Sequence, residues 1–258
     1  MRHRLLASTA LTASTAVMAG AAWAADLPVK APPPPIKAPF SWSGCYVGLN
    51  AGASFNHIDQ NVAIPGVATF DSNGTNSSFT GGGQLGCNWQ FDPSWVLGIE
   101  GDINGLNGNR SQNFAFLFPN SEDLVGSQET KLRWLATFRG RFGYTWDRWF
   151  FYATGGLALG DVSSSVSATR TQGTFFGAQY AGSDSADRTG WTVGVGFEYA
   201  FAERLSAKFE YLHFDLGSVD YLVNKVAGPS PTPPLTWNAS AKVSGDIVRV
   251  GLNYRFIP

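Results

Sequence analysis

Residues 132–146 read LRWLATFRGRFGYTW. Leu132, Trp134, Ala136, Phe138, Phe142, Tyr144 and Trp146 alternate with Arg133, Thr137, Arg139, Arg141 and Thr145. A period of two belongs to a strand, whose successive side chains leave on opposite faces, and a helix does not produce it. One face therefore carries large apolar groups and the other carries three arginines. Which face meets which solvent decides the fold.

The same alternation recurs on both sides of this run. It is found at 45–55, 79–91, 95–103, 149–159, 191–199, 205–211 and 247–256, which with 132–146 makes eight strands. The links between them alternate in length. Those at Asp92–Ser94, Asp147–Arg148 and Ala202–Arg204 are tight turns by composition. The others, near 57–77, 105–127, 163–188 and 217–240, are each on the order of 20 residues and rich in Gly, Ser, Asn and Asp, the pattern of short periplasmic turns and long extracellular loops in outer-membrane barrels. A soluble all-β domain would need a separate reason for each long link.

The polar face settles which side meets lipid. It holds Glu100, Asp102, Arg133, Arg139, Arg141, Glu198, Lys208, Glu210, Arg249 and Arg255. Facing hydrocarbon at mid-depth, basic side chains cost about 2–4 kcal/mol each, whereas both signs gathered in one lumen can pair. These residues are predicted to point inward. Aromatic residues agree, because Trp89, Phe91 and Trp95 bracket the first tight turn and Tyr144, Trp146, Trp149 and Phe151 the second. Phe197, Tyr199 and Phe201 approach the third, so a periplasmic aromatic girdle is expected. The fold class is all-β: an eight-stranded antiparallel up-and-down transmembrane barrel, with an interior that side chains just fill and no wide pore.

The ends of the chain carry other information. Residues 1–24 have a basic start at Arg2, His3 and Arg4, an apolar middle and small residues at Ala22 and Ala24, which read as a signal peptide cut between Ala24 and Ala25. No Cys follows that site directly, so no lipid anchor is indicated. Removing Arg2 and Arg4 from 18 Lys+Arg leaves 16 against 19 Asp+Glu. A mildly acidic chain without a basic cluster argues against nucleic-acid binding. Residues 25–39, with Pro28, Pro32–Pro35 and Pro39, read as an extended periplasmic spacer before a barrel domain at 40–258.

Motifs that would carry chemistry are weak. Gly81–Gly86 matches G-x-G-x-x-G, but a strand follows it where a phosphate site needs a helix N-terminus. His3, His57 and His213 are too scattered for a metal site, and no nucleophile triad is legible. No cofactor is expected. Cys45 and Cys87 fall on the outward face of adjacent strands near their periplasmic ends, where paired Cα atoms come within disulfide range, and a bond between them is predicted.

The Ala-Asp-Leu-Pro start after the cleavage site, the Pro-rich spacer and FSWSGCYVG at 40–48 form one set of familiar motifs. GQLGCNWQ at 83–90, GIEGD at 98–102 and VRVGLNYRF at 248–256 form another. Together they make the chain resemble the RopB-type, or group three, family of small alphaproteobacterial outer-membrane proteins. The resemblance implies a surface-exposed barrel in the outer membrane that supports envelope integrity and host interaction; some relatives are linked to haem binding or pore activity. The last strand is similar to the signal read by the barrel assembly machinery, with Arg249, Gly251, Tyr254 and Phe256 as its elements. Ile257 and Pro258 read as an overhang beyond it.

The expected function is thus a non-enzymatic surface barrel acting through its extracellular loops. Outer-membrane lipid, lipopolysaccharide, the assembly machinery and host or cell-wall contacts are the expected partners. The alternative is a small porin-like channel, or a haem- or ligand-binding protein using Phe114, Phe116, Phe118, Phe175, Phe176 and Tyr180.

Overall fold

The computed structural model describes residues 40–64, 68–118, 122–229 and 236–256. The signal peptide, the Ala24–Ala25 cleavage site, the Pro-rich segment 25–39 and the Ile257–Pro258 overhang lie outside the described residues. Eight strands are present among those described: β1 (Gly44–Ile64), β2 (Ala68–Asp92), β3 (Trp95–Phe118), β4 (Glu122–Trp146), β5 (Trp149–Arg170), β6 (Gln179–Ala200), β7 (Leu205–Ala227) and β8 (Trp237–Phe256). Each pairs antiparallel with its sequence neighbours, and β1 pairs with β8 to close the barrel. Closure leaves no unpaired edge, the condition for backbone to cross hydrocarbon.

The periplasmic turns are as short as composition requires. Pro93–Ser94 links β2 to β3, and Asp147–Arg148 links β4 to β5 with Asp147 at a φ of 52°. Turns of type I′ or II′ have positive φ at their first central residue, and Asp tolerates it better than a branched residue. Neighbouring strands brace these turns: Thr145 N–H donates to the Ser94 carbonyl at 2.8 Å, and Ala200 N–H to the Arg148 carbonyl at 2.9 Å.

The expected long loops are not loops. The polar stretches continue the strands, which reach 20 residues in β8 and 25 in β2 and β4. A strand needs only about 9–11 residues to cross the membrane, so about half of each strand stands beyond it. The extracellular connection described throughout is 171–178, between β5 and β6.

The alternation changes phase where the membrane ends. Along β1, Val47, Leu49 and Phe55 face outward with Asn50 and Ser54 inside; further up, His57, Asp59 and Asn61 face outward while Ile58 and Val62 are buried. The upper barrel has water outside and therefore an apolar core within, as any soluble barrel must. Its core contains Leu106, Leu124, Leu132, Val162, Phe214, Val243 and Trp237. The aromatics expected to form a binding loop belong largely to this core. Phe114 and Phe116 pack on Phe70, Phe175 packs against the cluster, and Tyr180 lies 4.7 Å from Trp237; Phe176 alone of these is exposed. The side chain of Phe118 is outside the described ones.

Bulges accommodate the phase change in several strands. In β4 the partners of Leu132 and Leu135 in β5 are Val162 and Gly160, so two residues of β4 stand against Asp161 alone. The extra residue turns Arg133 outward. Its side chain is 66% exposed and pairs with Asp161 at 3.6 Å on the outer wall, which corrects its expected place in the lumen.

Cys45 and Cys87 are directly paired across β1 and β2 and form a disulfide, as the spacing predicts. Cys45 also stands opposite Phe256 of β8, so the bond lies beside the closing seam. Unreduced folded protein should take up no maleimide until reductant is added. The bond spans 42 residues of chain, and its loss through Cys45→Ser with Cys87→Ser should lower unfolding stability by about 2–4 kcal/mol in denaturant titration.

Candidate functional site

The membrane-level lumen is occupied by a single network of charges. Glu100 and Asp102 come from β3, Arg139 and Arg141 from β4, Glu198 from β6, Lys208 and Glu210 from β7 and Arg249 from β8. Strand alternation points all of them inward, and tilt brings them to one level. Arg139 is the hub. Its Nη2 lies 2.5 Å from Glu100 and 2.7 Å from Asp102, and its Nη1 lies 3.0 Å from Glu210 across the lumen.

The remaining cations complete the set. Arg249 donates to Asp102 at 3.0 Å and to Glu210 at 2.5 Å, and Lys208 Nζ sits 2.8 Å from Glu100. Arg141 pairs with Glu198 at 2.9 Å and lies 4.0 Å over the Tyr152 ring. Four carboxylates thus face four cations, and all these side chains are 0–1% exposed. Charges so far from water are tolerable only when fully paired and hydrogen-bonded. Ser206 and Asn253 supply further donors to Glu198, at 2.5 and 2.8 Å.

Two tyrosines belong to this layer. Tyr46 donates to Glu100 at 2.5 Å and is itself bonded by Arg141, while Tyr152 donates to Glu210 at 3.0 Å. Tyr46 lies on the polar face of the run 45–55, with Gly48 and Asn50. Tyr152 was missed, although its even position, with Phe150 and Thr154, already separated it from the apolar set Trp149, Phe151 and Ala153. Glycines make room for both rings. A Cβ at Gly86 would stand 2.5 Å from the Tyr46 hydroxyl, and one at Gly196 2.6 Å from that of Tyr152.

Arg255, the last of the expected lumen charges, has a different task. It donates to the backbone carbonyls of Ser41 and Glu203, both at 2.8 Å, and its guanidinium lies 4.4 Å over Phe40 and 5.1 Å over Trp42. Trp42 is fully buried with Val96, Phe150 and Ala200, and its backbone N–H donates to the Gln90 side-chain carbonyl at 2.8 Å. Residues 40–43 thereby close the periplasmic mouth. No signal in the sequence announced this, because Trp42 precedes the first alternating run. Of the expected assembly-signal residues, Arg249 joins the charge network and Gly251 lies in the ladder, while Tyr254 and Phe256 face outward at the periplasmic rim.

Among the described residues no cluster of His, Cys, Asp or Glu has the geometry to hold a metal ion. What the arrangement does is fill space with neutralised charge. A closed barrel with an apolar outer band, aromatic girdle and ion-paired lumen is a transmembrane barrel of the outer-membrane type. The model of the outer membrane protein beta-barrel domain matches residues 7–256, and the chain belongs to that family.

Its relatives agree with the RopB-type motifs. The chain is similar to the 31 kDa outer-membrane immunogenic protein of Brucella melitensis, 37% identical over 96% of this chain and 99% of the relative. It is also similar to the 22 kDa outer membrane protein of Rhizobium leguminosarum bv. viciae, 31% identical over 72% of this chain and 70% of that one. Among solved structures, the outer membrane protein OprG from Pseudomonas aeruginosa aligns with 85% of this chain and 99% of its own at 13% identity and a TM-score of 0.44. By its family and by these two curated relatives, both named as outer-membrane proteins, the protein is located in the outer membrane.

The network makes Arg139 and Arg133 very different residues despite their shared strand. Arg139→Met removes one cation shared by three buried carboxylates, leaves the layer with one uncompensated negative charge, and should lower unfolding stability by about 3–5 kcal/mol. Arg133→Met, at an exposed pair, should lower it by about 1 kcal/mol or less. Urea unfolding of the two variants in detergent micelles, followed by tryptophan fluorescence, measures both.

Proposed function

We propose that this outer-membrane barrel is a non-enzymatic, non-conducting surface protein that supports the envelope and presents its upper barrel to partners outside the cell. The observation that carries this reading is the lumen layer of four paired carboxylates and four paired cations without solvent exposure. An ion entering it would have to break several buried charge pairs, each worth several kcal/mol. The apolar core above and Trp42 below add two further obstructions on the same axis.

Surface interaction would use the outer wall of the upper barrel, where polar residues such as Asp59, Asn61 and Asp71 face water. The Brucella relative is named as an immunogenic outer-membrane protein. Extracellular exposure of this wall is consistent with that description. Lipopolysaccharide would surround the barrel at the upper end of the apolar band, and host or cell-wall molecules would meet it above.

In planar bilayers the folded protein should give no single-channel steps at neutral pH, and a haem titration should show no saturable Soret shift. Regular conductance steps would favour the porin-like reading, and a saturable shift the ligand-binding one. The assembly role of the last strand has its own measurement: Phe256→Ala should reduce the heat-modifiable, folded fraction recovered from outer membranes several-fold. Unchanged recovery would remove Phe256 from the signal.

A further inference from the structure

The lipid-facing wall is uneven. Over β2 to β4 it is filled by large side chains such as Trp89, Ile99, Phe138 and Phe142, all well exposed outward. Over β6, β7, β8 and β1, with Trp149 of β5 at its edge, it opens into an apolar concavity of about 900 Å³. Its floor is Ala207, whose ladder partners are Tyr199 on one side and Leu252 on the other. Phe209 and Leu49 rise along its flanks, and Tyr254 stands at its lower end. The small side chain of Ala207, placed among these large ones, creates the hollow.

Position and charge indicate what fills it. Along β8 the groove runs from Val250 to Tyr254, five residues. At about 3.3 Å per residue and a tilt of 35–45° this is roughly 12 Å of membrane height, or half of an apolar band about 25 Å tall. It is the periplasmic half, because Leu205 and Tyr254 adjoin the turn at 201–204. At this lower lip Arg204 is exposed, and its Nη1 lies 3.3 Å from the Tyr254 hydroxyl. The turn holding Arg204 is fixed from below, since its carbonyl accepts the Arg255 N–H at 2.8 Å. Glu203 is the one acid on the same turn, and its carbonyl is bonded by Arg255.

We propose that this groove is a binding site for a glycerophospholipid of the periplasmic leaflet. One acyl chain would lie over Ala207, and the phosphate would be held by Arg204 with the Tyr254 hydroxyl. An apolar trough one leaflet deep that ends at a guanidinium at the hydrocarbon boundary matches an acyl chain joined to a phosphate. A second copy of the barrel would set an apolar wall against that same arginine.

Native mass spectrometry of the delipidated full-length protein in non-ionic detergent, with phosphatidylglycerol or phosphatidylethanolamine added, tests the site. One lipid per chain should be retained. Ala207→Trp should weaken retention roughly tenfold and Arg204→Gln several-fold, while both variants keep heat-modifiable migration and so remain folded. Retention unchanged by Ala207→Trp, or no lipid adduct in the wild type, would overturn the proposal. Equal retention by Arg204→Gln would overturn the phosphate assignment, and a dimer abolished by Ala207→Trp would show that a second copy covers the groove instead.

Discussion

Charge that is barred from hydrocarbon organises this barrel. A basic side chain at mid-membrane on the lipid face costs about 2–4 kcal/mol, and the membrane half of the chain carries eight charges in its buried network. Turning them inward sets the facing of every strand that carries one. Pairing them then couples strands far apart in the barrel: Arg139 of β4 binds Glu210 of β7, and Arg249 of β8 binds Asp102 of β3. Closure and neutralisation are therefore satisfied together, since neither network partner is reachable until the sheet has curled.

The same reasoning explains why the barrel has two halves with opposite interiors. At membrane level the surroundings are apolar, so the wall is apolar and the lumen takes the polar groups. Above it the surroundings are water, and Leu124, Phe214, Trp237 and their neighbours move inside while the wall becomes polar. A layer of hydrogen bonds lies within the upper half, with Gln60 bonded to Thr130 at 2.9 Å and Gln128 to Tyr221 at 2.9 Å. The result is a soluble barrel built on a transmembrane one from the same continuous strands.

Most of the membrane half was legible because alternation is a local property. Glu100, Asp102, Arg139, Arg141, Glu198, Lys208, Glu210 and Arg249 all lie where a strict period of two places them, and so does the Cys45–Cys87 pair. Arg133 broke the rule for a reason its own strand does not contain. The bulge that turns it outward exists only relative to β5, where Asp161 alone opposes two residues. The upper strands read as loops because the apolar set shifts by one position at the membrane boundary, and a phase shift looks like the end of a strand.

By itself, then, the sequence determined the number of strands, the tight turns, the face that meets lipid and the charges that fill the lumen. Each depends on residues two apart along one chain segment. The tertiary structure alone decided how far the strands run, which cation neutralises which carboxylate, how Trp42 and Arg255 close the periplasmic mouth, and where Ala207 leaves a hollow among larger neighbours. Those features arise between segments as much as 214 residues apart, as for Arg255 and Ser41. Their physical cause is the curvature and register of a closed sheet, which no single run of alternation records.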